Sequence, residues 1–265
     1  MTKEKEALII AFVLKSGGDF KPEDVTKIQD EIGANLKRKH RFVCFSDIEV
    51  PCERIPLLHD YPGWWSKLEL FRPDIEGDML YFDLDTVVCG QVDEIASVKE
   101  LTMLKDLNKI NKTFTSGVMF LPEKDRAEVW DRWIEKPEEF MRKLKGDQNF
   151  LNLVYGERPR LFQKMFPGQI VSFKYYILQR FRSALRRKRT EAEIADKVLR
   201  RVNVVCFHGY PRPHQVKRLK PWVNLLDNPE YYNGREIPEV IPKEVADRDL
   251  FNKYKTEFNI EHRRI

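Results

Sequence analysis

Little in this chain would staple it, anchor it or export it. Cysteine is scarce: Cys44, Cys52, Cys89 and Cys206 are the four in 265 residues, and they make no close pair of metal-ligand type. Three of them stand in or beside strand-like apolar runs, so reduced, mostly buried thiols are expected rather than disulfides or a zinc knuckle. No apolar run approaches the roughly 20 residues of a membrane span. Met1–Glu6 is too charged to open a secretory signal, and a cytoplasmic protein is expected. No GxGxxG follows the first strand-like run, so the dinucleotide fingerprint is missing.

What remains is material for an α/β core. With 42% hydrophobic residues, the chain fits one α/β domain, or one domain with an extension. Net charge is only +5, but it is unevenly spread. Residues 1–150 hold 23 Lys and Arg against 29 Asp and Glu, net −6; residues 151–265 hold 24 against 13, net +11. Clustered charge steers association, so the two halves are expected to face different partners.

Ala7–Leu14, ALIIAFVL, is a continuous apolar run of the kind that forms a central parallel strand buried on both faces. The loop Lys15–Asp19 follows. Pro22 then suits the first turn of a helix in which Val25, Ile28, Ile32 and Leu36 recur at helical spacing. Strand, loop and helix in this order suit ligand binding at the carboxyl end of the strand. Arg41–Ser46 reads as a second strand. In Tyr61–Phe71, Trp64 and Trp65 read as core, whereas Lys67 needs either a partner or water.

The centre of the chain is Met79–Gly90, MLYFDLDTVVCG. Met79–Phe82 has the length and aromatic content of a buried strand, which delivers Asp83 and Asp85 to the surface at its end. Hard carboxylate oxygens in that setting suit Mg²⁺ or Mn²⁺, ions that keep positions open for phosphate oxygens. The competing reading is a turn start. Later, Ser116–Gly117 stands in a strand-like context and permits either close approach of a ligand or a β-bulge. Helices are expected after Pro122 (Ala127, Val129, Trp130, Trp133, Ile134) and from Pro137 (Phe140, Met141, Leu144), their stripes forming core. A third begins at Gly146-Asp147-Gln148-Asn149 and stops at Tyr155-Gly156, with Asp147 suited to its N-cap. Val202–Phe207 is the last clear strand and ends in His208-Gly209.

Four of these stretches together carry a resemblance: the Asp-x-Asp of Met79–Gly90, Phe114–Met119 (FTSGVM), Gly146–Asn152 (GDQNFLN) and Cys206–Pro213 (CFHGYPRP). Their order and spacing resemble GT-A-fold glycosyltransferases, in particular the retaining enzymes of glycosyltransferase family eight, the glycogenin and bacterial galactosyltransferase group. The resemblance covers roughly residues 7–222. It implies a mixed, mainly parallel sheet flanked by helices, with a basic helical insertion at about 174–201 and a C-terminal extension over 223–265.

It also implies a function: retaining transfer of a hexose from a nucleotide sugar, most simply a UDP-sugar, with Mn²⁺ or Mg²⁺ held by Asp83, Asp85 and His208. Phe12 and Val13 would line the uridine. Lys67 would lie near the donor phosphates, Ser116 and Gly117 beside the donor, and Gly209 after the last ligand. The diphosphate would meet Arg212, or Lys220 of the displaced Lys220-Pro221-Trp222. Asp147 would bond sugar hydroxyls and Gln148 would lie close to the anomeric carbon. Because an amide is no strong nucleophile at neutral pH, Gln148 suits orientation and charge stabilisation better than double displacement.

The acceptor is expected to be a saccharide or a lipid-linked glycan. Arg180–Arg189 adds a further possibility, with six cationic residues in ten around the apolar Ile177, Leu178, Phe181 and Leu185. That surface suits anionic membrane, or duplex DNA carrying 5-hydroxymethylpyrimidines as in phage DNA glucosyltransferases. A donor site decayed into a glycan- or nucleotide-binding module is the remaining alternative.

Overall fold

The computed structural model describes residues 7–107, 113–180, 187, 200–209 and 212–213. Among these, ten strands follow in chain order: β1 (Leu8–Leu14), β2 (His40–Ser46), β3 (Glu53–Pro56), β4 (Met79–Phe82), β5 (Thr86–Val88), β6 (Thr102–Lys105), β7 (Phe114–Leu121), β8 (Arg160–Leu161), β9 (Ile170–Ser172) and β10 (Val204–Cys206). The α-helices are α1 (Pro22–Asn35), α2 (Ala127–Glu135), α3 (Pro137–Lys143), α4 (Asp147–Tyr155) and α5 (Phe162–Met165). Seven strands form one sheet in the order β3-β2-β1-β4-β7-β6-β8, and β5-β10-β9 form a second. In the larger sheet β7 runs antiparallel to both its neighbours, and the other pairings are parallel. This is the mainly parallel α/β architecture expected of a GT-A fold.

Successive side chains of a strand face opposite ways, and β1 shows why its sequence is apolar throughout. Leu8, Ile10, Phe12 and Leu14 enter one core with Val25, Ile28 and Ile32 of α1. Ile9 and Ala11 enter another, built on Trp65, Trp133 and Phe150. β4 divides in the same way, Leu80 and Phe82 to the first core and Met79 and Tyr81 to the second. In the second core Trp133 stacks on Trp65 at 5.3 Å and meets Phe150 edge-on at 5.2 Å.

Two side chains depart from expectation. Of the two adjacent tryptophans only Trp65 is core; Trp64 is 61% exposed, because the Gly63–Phe71 stretch turns as a 3-10 helix and sends its neighbours to different sides. Ile134 is also exposed, at the outer edge of the stripe on α2. The last strand pairs in the second sheet, antiparallel to β5 and parallel to β9. The four cysteines are free, with Cys44 and Cys206 buried. Most of the basic stretch Arg180–Arg189, the rest of the expected helical insertion up to residue 199, Lys220–Trp222 and the extension over 223–265 lie outside the described residues.

Candidate active site

The two sheets meet in sequence at the Asp83–Asp85 turn. The Asp83 N–H donates to Gly117 O at 2.8 Å, continuing the β4–β7 pairing. The Thr86 N–H returns to Asp83 O at 3.0 Å, closing a tight turn, and Phe207 N–H donates to Asp85 O at 3.0 Å, continuing the β5–β10 pairing. Each carboxylate is therefore tied by its backbone to a different sheet.

Around Asp83 a charged cluster assembles from four elements. Lys67 Nζ lies 2.8 Å from Asp83 Oδ1 and 3.4 Å from Asp147 Oδ2. The Ser116 hydroxyl donates to Asp147 Oδ2 at 2.7 Å and accepts from Lys67 at 3.4 Å. The Tyr81 hydroxyl donates to Asp83 Oδ1 from two residues back on β4. Burial alone would lower the Lys67 pKa, but the Asp147 and Asp83 carboxylates outweigh it and hold the ammonium charged. Burial, reinforced by Asp83, pushes Tyr81 well up, so its hydroxyl remains a donor.

Sequence patterns had left Lys67 between a partner and water; it is buried and fully partnered. Asp147 is not the N-cap of α4 but its first helical residue. Gly146 occupies the cap position without a side-chain bond, which leaves the Asp147 carboxylate to Ser116 and Lys67. Gly156, at φ 58°, stops that helix where expected.

Of the two readings of Ser116–Gly117, the β-bulge is the one observed. The β6–β7 register slips between Met103 and Leu104, leaving residues 116–118 as the bulge. A Cβ on Gly117 would stand 3.4 Å from Asp83 Oδ2, so the glycine keeps that oxygen's surroundings clear.

Asp85 answers to a different cation. Arg212 donates to Asp85 Oδ2 at 2.9 Å and to Asp19 Oδ2 at 2.8 Å, with its guanidinium 4.8 Å from the Phe20 ring. Burial, then the charge of Asp83, pushes the Asp85 carboxyl up to about 7 against the opposing pull of Arg212 and Lys67. His208 follows β10, but its Nε2 lies 2.6 Å from Ser172 Oγ and its ring stacks on Tyr175 at 5.5 Å. Burial and then Lys174 lower its pKa to about 4, which leaves a neutral imidazole. Gly209 adopts φ 81°, and Lys174 Nζ bonds the His208 carbonyl at 2.8 Å.

Among the described residues no three His, Cys, Asp or Glu side chains converge as a metal group. The chemistry of the donor set fits a divalent cation at the carboxylate pair. Two carboxylates of hard oxygen, one with its pKa pushed up by burial and then by the other's charge, are what such an ion relieves.

Phe12 offers no side chain here: it is fully buried and stacked on Phe42 at 6.1 Å. Only its backbone is therefore available to line a base, which is the contact that the resemblance implies. Val13 is half-buried beside the second core, and Gln148 is half-buried next to Asp147. Sequence reasoning missed Tyr81, Asp19, Ser172 and Lys174. Only Tyr81 left a usable signal, since a residue two before Asp83 on a strand shares its face.

No family model matches the chain, and no curated protein sequence matches it. Solved structures do. The glycosyltransferase GlyE of Streptococcus pneumoniae superposes with a TM-score of 0.59 at 15% identity, over 84% of this chain and 60% of GlyE. The resemblance is one of fold. The bifunctional glycosyltransferase WbbM gives 0.55 at 13% identity, over 85% of this chain and 51% of its own. The galactosyltransferase LgtC in complex with donor and acceptor sugar analogues gives 0.55 at 13%, over 90% of this chain and 99% of LgtC. The chain thus spans 60% of GlyE and about half of WbbM, but nearly the whole of LgtC. Among the described residues no helix is long and apolar enough to cross a membrane.

Proposed function

We propose that this protein transfers a hexose from a nucleotide sugar, a UDP-sugar in the simplest case, to a hydroxyl of a saccharide or lipid-linked glycan. The observation that carries the reading is the Lys67–Asp83–Ser116–Asp147 cluster at the carboxyl end of β4, beside the Asp85–Arg212 pair, in a fold shared with glycosyltransferases. Asp83 and Asp85 would hold Mn²⁺ or Mg²⁺; His208, turned to Ser172, would join them as the third ligand only by leaving that hydrogen bond. Such a cation, when bound, neutralises charge on a diphosphate.

The remaining roles belong to the chain itself. Ser116 and Lys67 hold the Asp147 carboxylate in one orientation, ready to accept from sugar hydroxyls. Gln148, next along the same helix, would orient the anomeric carbon and stabilise charge as the glycosidic bond lengthens. The Arg212 guanidinium, preset by Asp19 and Asp85, would meet the diphosphate, where fixed positive charge favours departure of the nucleotide. Retention of configuration follows from the likeness of FTSGVM, GDQNFLN and CFHGYPRP to family eight enzymes. No observation on the described residues favours duplex DNA as acceptor.

Calorimetry with UDP and Mn²⁺ tests the reading together with a UDP-release screen across common UDP-sugars. Wild type should bind UDP in a metal-dependent way, and Asp83→Asn or Asp85→Asn should lose that affinity and all UDP release while remaining folded. Undiminished, metal-independent UDP affinity in either variant would refute the metal assignment. Silence of well-folded, metal-loaded wild type across donors and acceptors would favour a binding module.

A further inference from the structure

An isolated apolar side chain on a protein surface needs no explanation. Trp64 differs from the other exposed apolar residues in where it is pinned. It stands 61% exposed on the 3-10 stretch Gly63–Phe71, three residues before Lys67, while Trp65 anchors that stretch in the core. Its pyrrole ring lies over Gly146, where an added Cβ would come within 2.9 Å of Nε1, 3.2 Å of Cδ1 and 3.6 Å of Cε2. Three ring atoms at such distances describe an indole laid against bare backbone. Any side chain at position 146 would displace it, although the extended φ of 173° would itself accept one.

Gly146 leads directly into Asp147, whose carboxylate is buried on Ser116 and Lys67. The indole is thereby held at the outer edge of the cluster by two routes, its own helix through Lys67 and the facing backbone through Gly146. An aromatic face so placed suits the C–H face of a pyranose ring, whose hydroxyls leave its rim for polar partners; indole combines a large apolar body with one donor.

We propose that Trp64 is the stacking platform for the acceptor saccharide. This rests on the glycosyltransferase reading and adds the residue that meets the acceptor. The proposed function assigns the donor hexose to the buried Asp147 carboxylate, so the exposed indole, lying over the residue that precedes Asp147, meets the next ring. The glycine at 146 is then a specificity device, because it lets the platform lie flat.

The test uses the full-length protein with UDP and Mn²⁺, and lactose, maltose and cellobiose as probes, read by saturation-transfer NMR and tryptophan fluorescence. At least one disaccharide should bind wild type through its ring C–H protons. Trp64→Ala should weaken that binding about fivefold or more, with Trp64→Phe retaining most of it. Gly146→Ala should also weaken it, although the tryptophan is still present, and UDP affinity should move less than twofold in all three. Equal disaccharide affinity in Trp64→Ala and wild type, or no binding of any probe at tens of millimolar by a UDP-binding protein, overturns this inference alone. A Trp64-dependent saccharide signal in a protein that neither binds nor releases UDP overturns the acceptor assignment and the glycosyltransferase reading together.

Discussion

Replacing Lys67 with methionine would remove the ammonium that Asp83 and Asp147 share while keeping a flexible apolar stem of similar length, so little cavity would form. At an effective dielectric constant of about 20, contacts of 2.8 and 3.4 Å are each worth roughly 5–6 kcal/mol of attraction before desolvation. The cost of burying the ammonium cancels much of that. Breaking a buried pair by removing one partner typically costs about 3–5 kcal/mol, because the other charge stays behind unpaired. Asp147 has a side chain 8% exposed and suffers this in full; Asp83, at 30%, recovers part of its hydration. A net loss of about 3–4 kcal/mol follows, which for a domain of this size lowers Tm by roughly 6–15 °C.

Thermal melts of both proteins in matched buffer at pH 7 read this loss directly. A variant melting within 3 °C of wild type would refute the reasoning.

Ser116→Ala strips one donor from the buried Asp147 carboxylate and should cost about 1–3 kcal/mol in urea unfolding. Trp133→Ala empties the centre of the second core and should cost about 3–5 kcal/mol, seen as a lower guanidinium midpoint at unchanged slope. Burial tends to raise the pKa of Asp47, but the Lys15 and Ser16 hydrogen bonds prevail and hold it at about 2. Its contribution should be present above the unfolded carboxylate pKa and vanish as pH falls from about 4 towards 2. Asp47→Asn should therefore cost about 1–2 kcal/mol at pH 7, and the gap to wild type should close across that window in urea midpoints.

The sequence by itself determined the principal strands and where the paired carboxylates stand. The unbroken apolar run of β1 announced burial on both faces, and the helical stripe of α1 together with the Tyr155-Gly156 stop located helices. Asp83 and Asp85 were legible because an aromatic strand ends in two carboxylates, a local pattern that depends on residues adjacent in the chain. Asp147 was legible only as a position, since its expected capping role is local and the observed role is not. What it bonds depends on Ser116, 31 residues away, and on Lys67, 80 residues away.

Only the tertiary structure decided which cation met which carboxylate. Lys67 and Arg212 were both eligible for phosphate, and packing gave Lys67 to Asp83 and Asp147, and Arg212 to Asp85 and Asp19. It also put His208 against Ser172, by pairing β10 with β9 in a second sheet that no local period foretells. The same division separates Trp64 from Trp65, two identical neighbours of which one is core and the other exposed. Hydrophobic periodicity reports how a segment meets an averaged interior. Charge pairing depends on which distant backbones the chain brings within 3 Å of each other, and that is settled by sheet order and register.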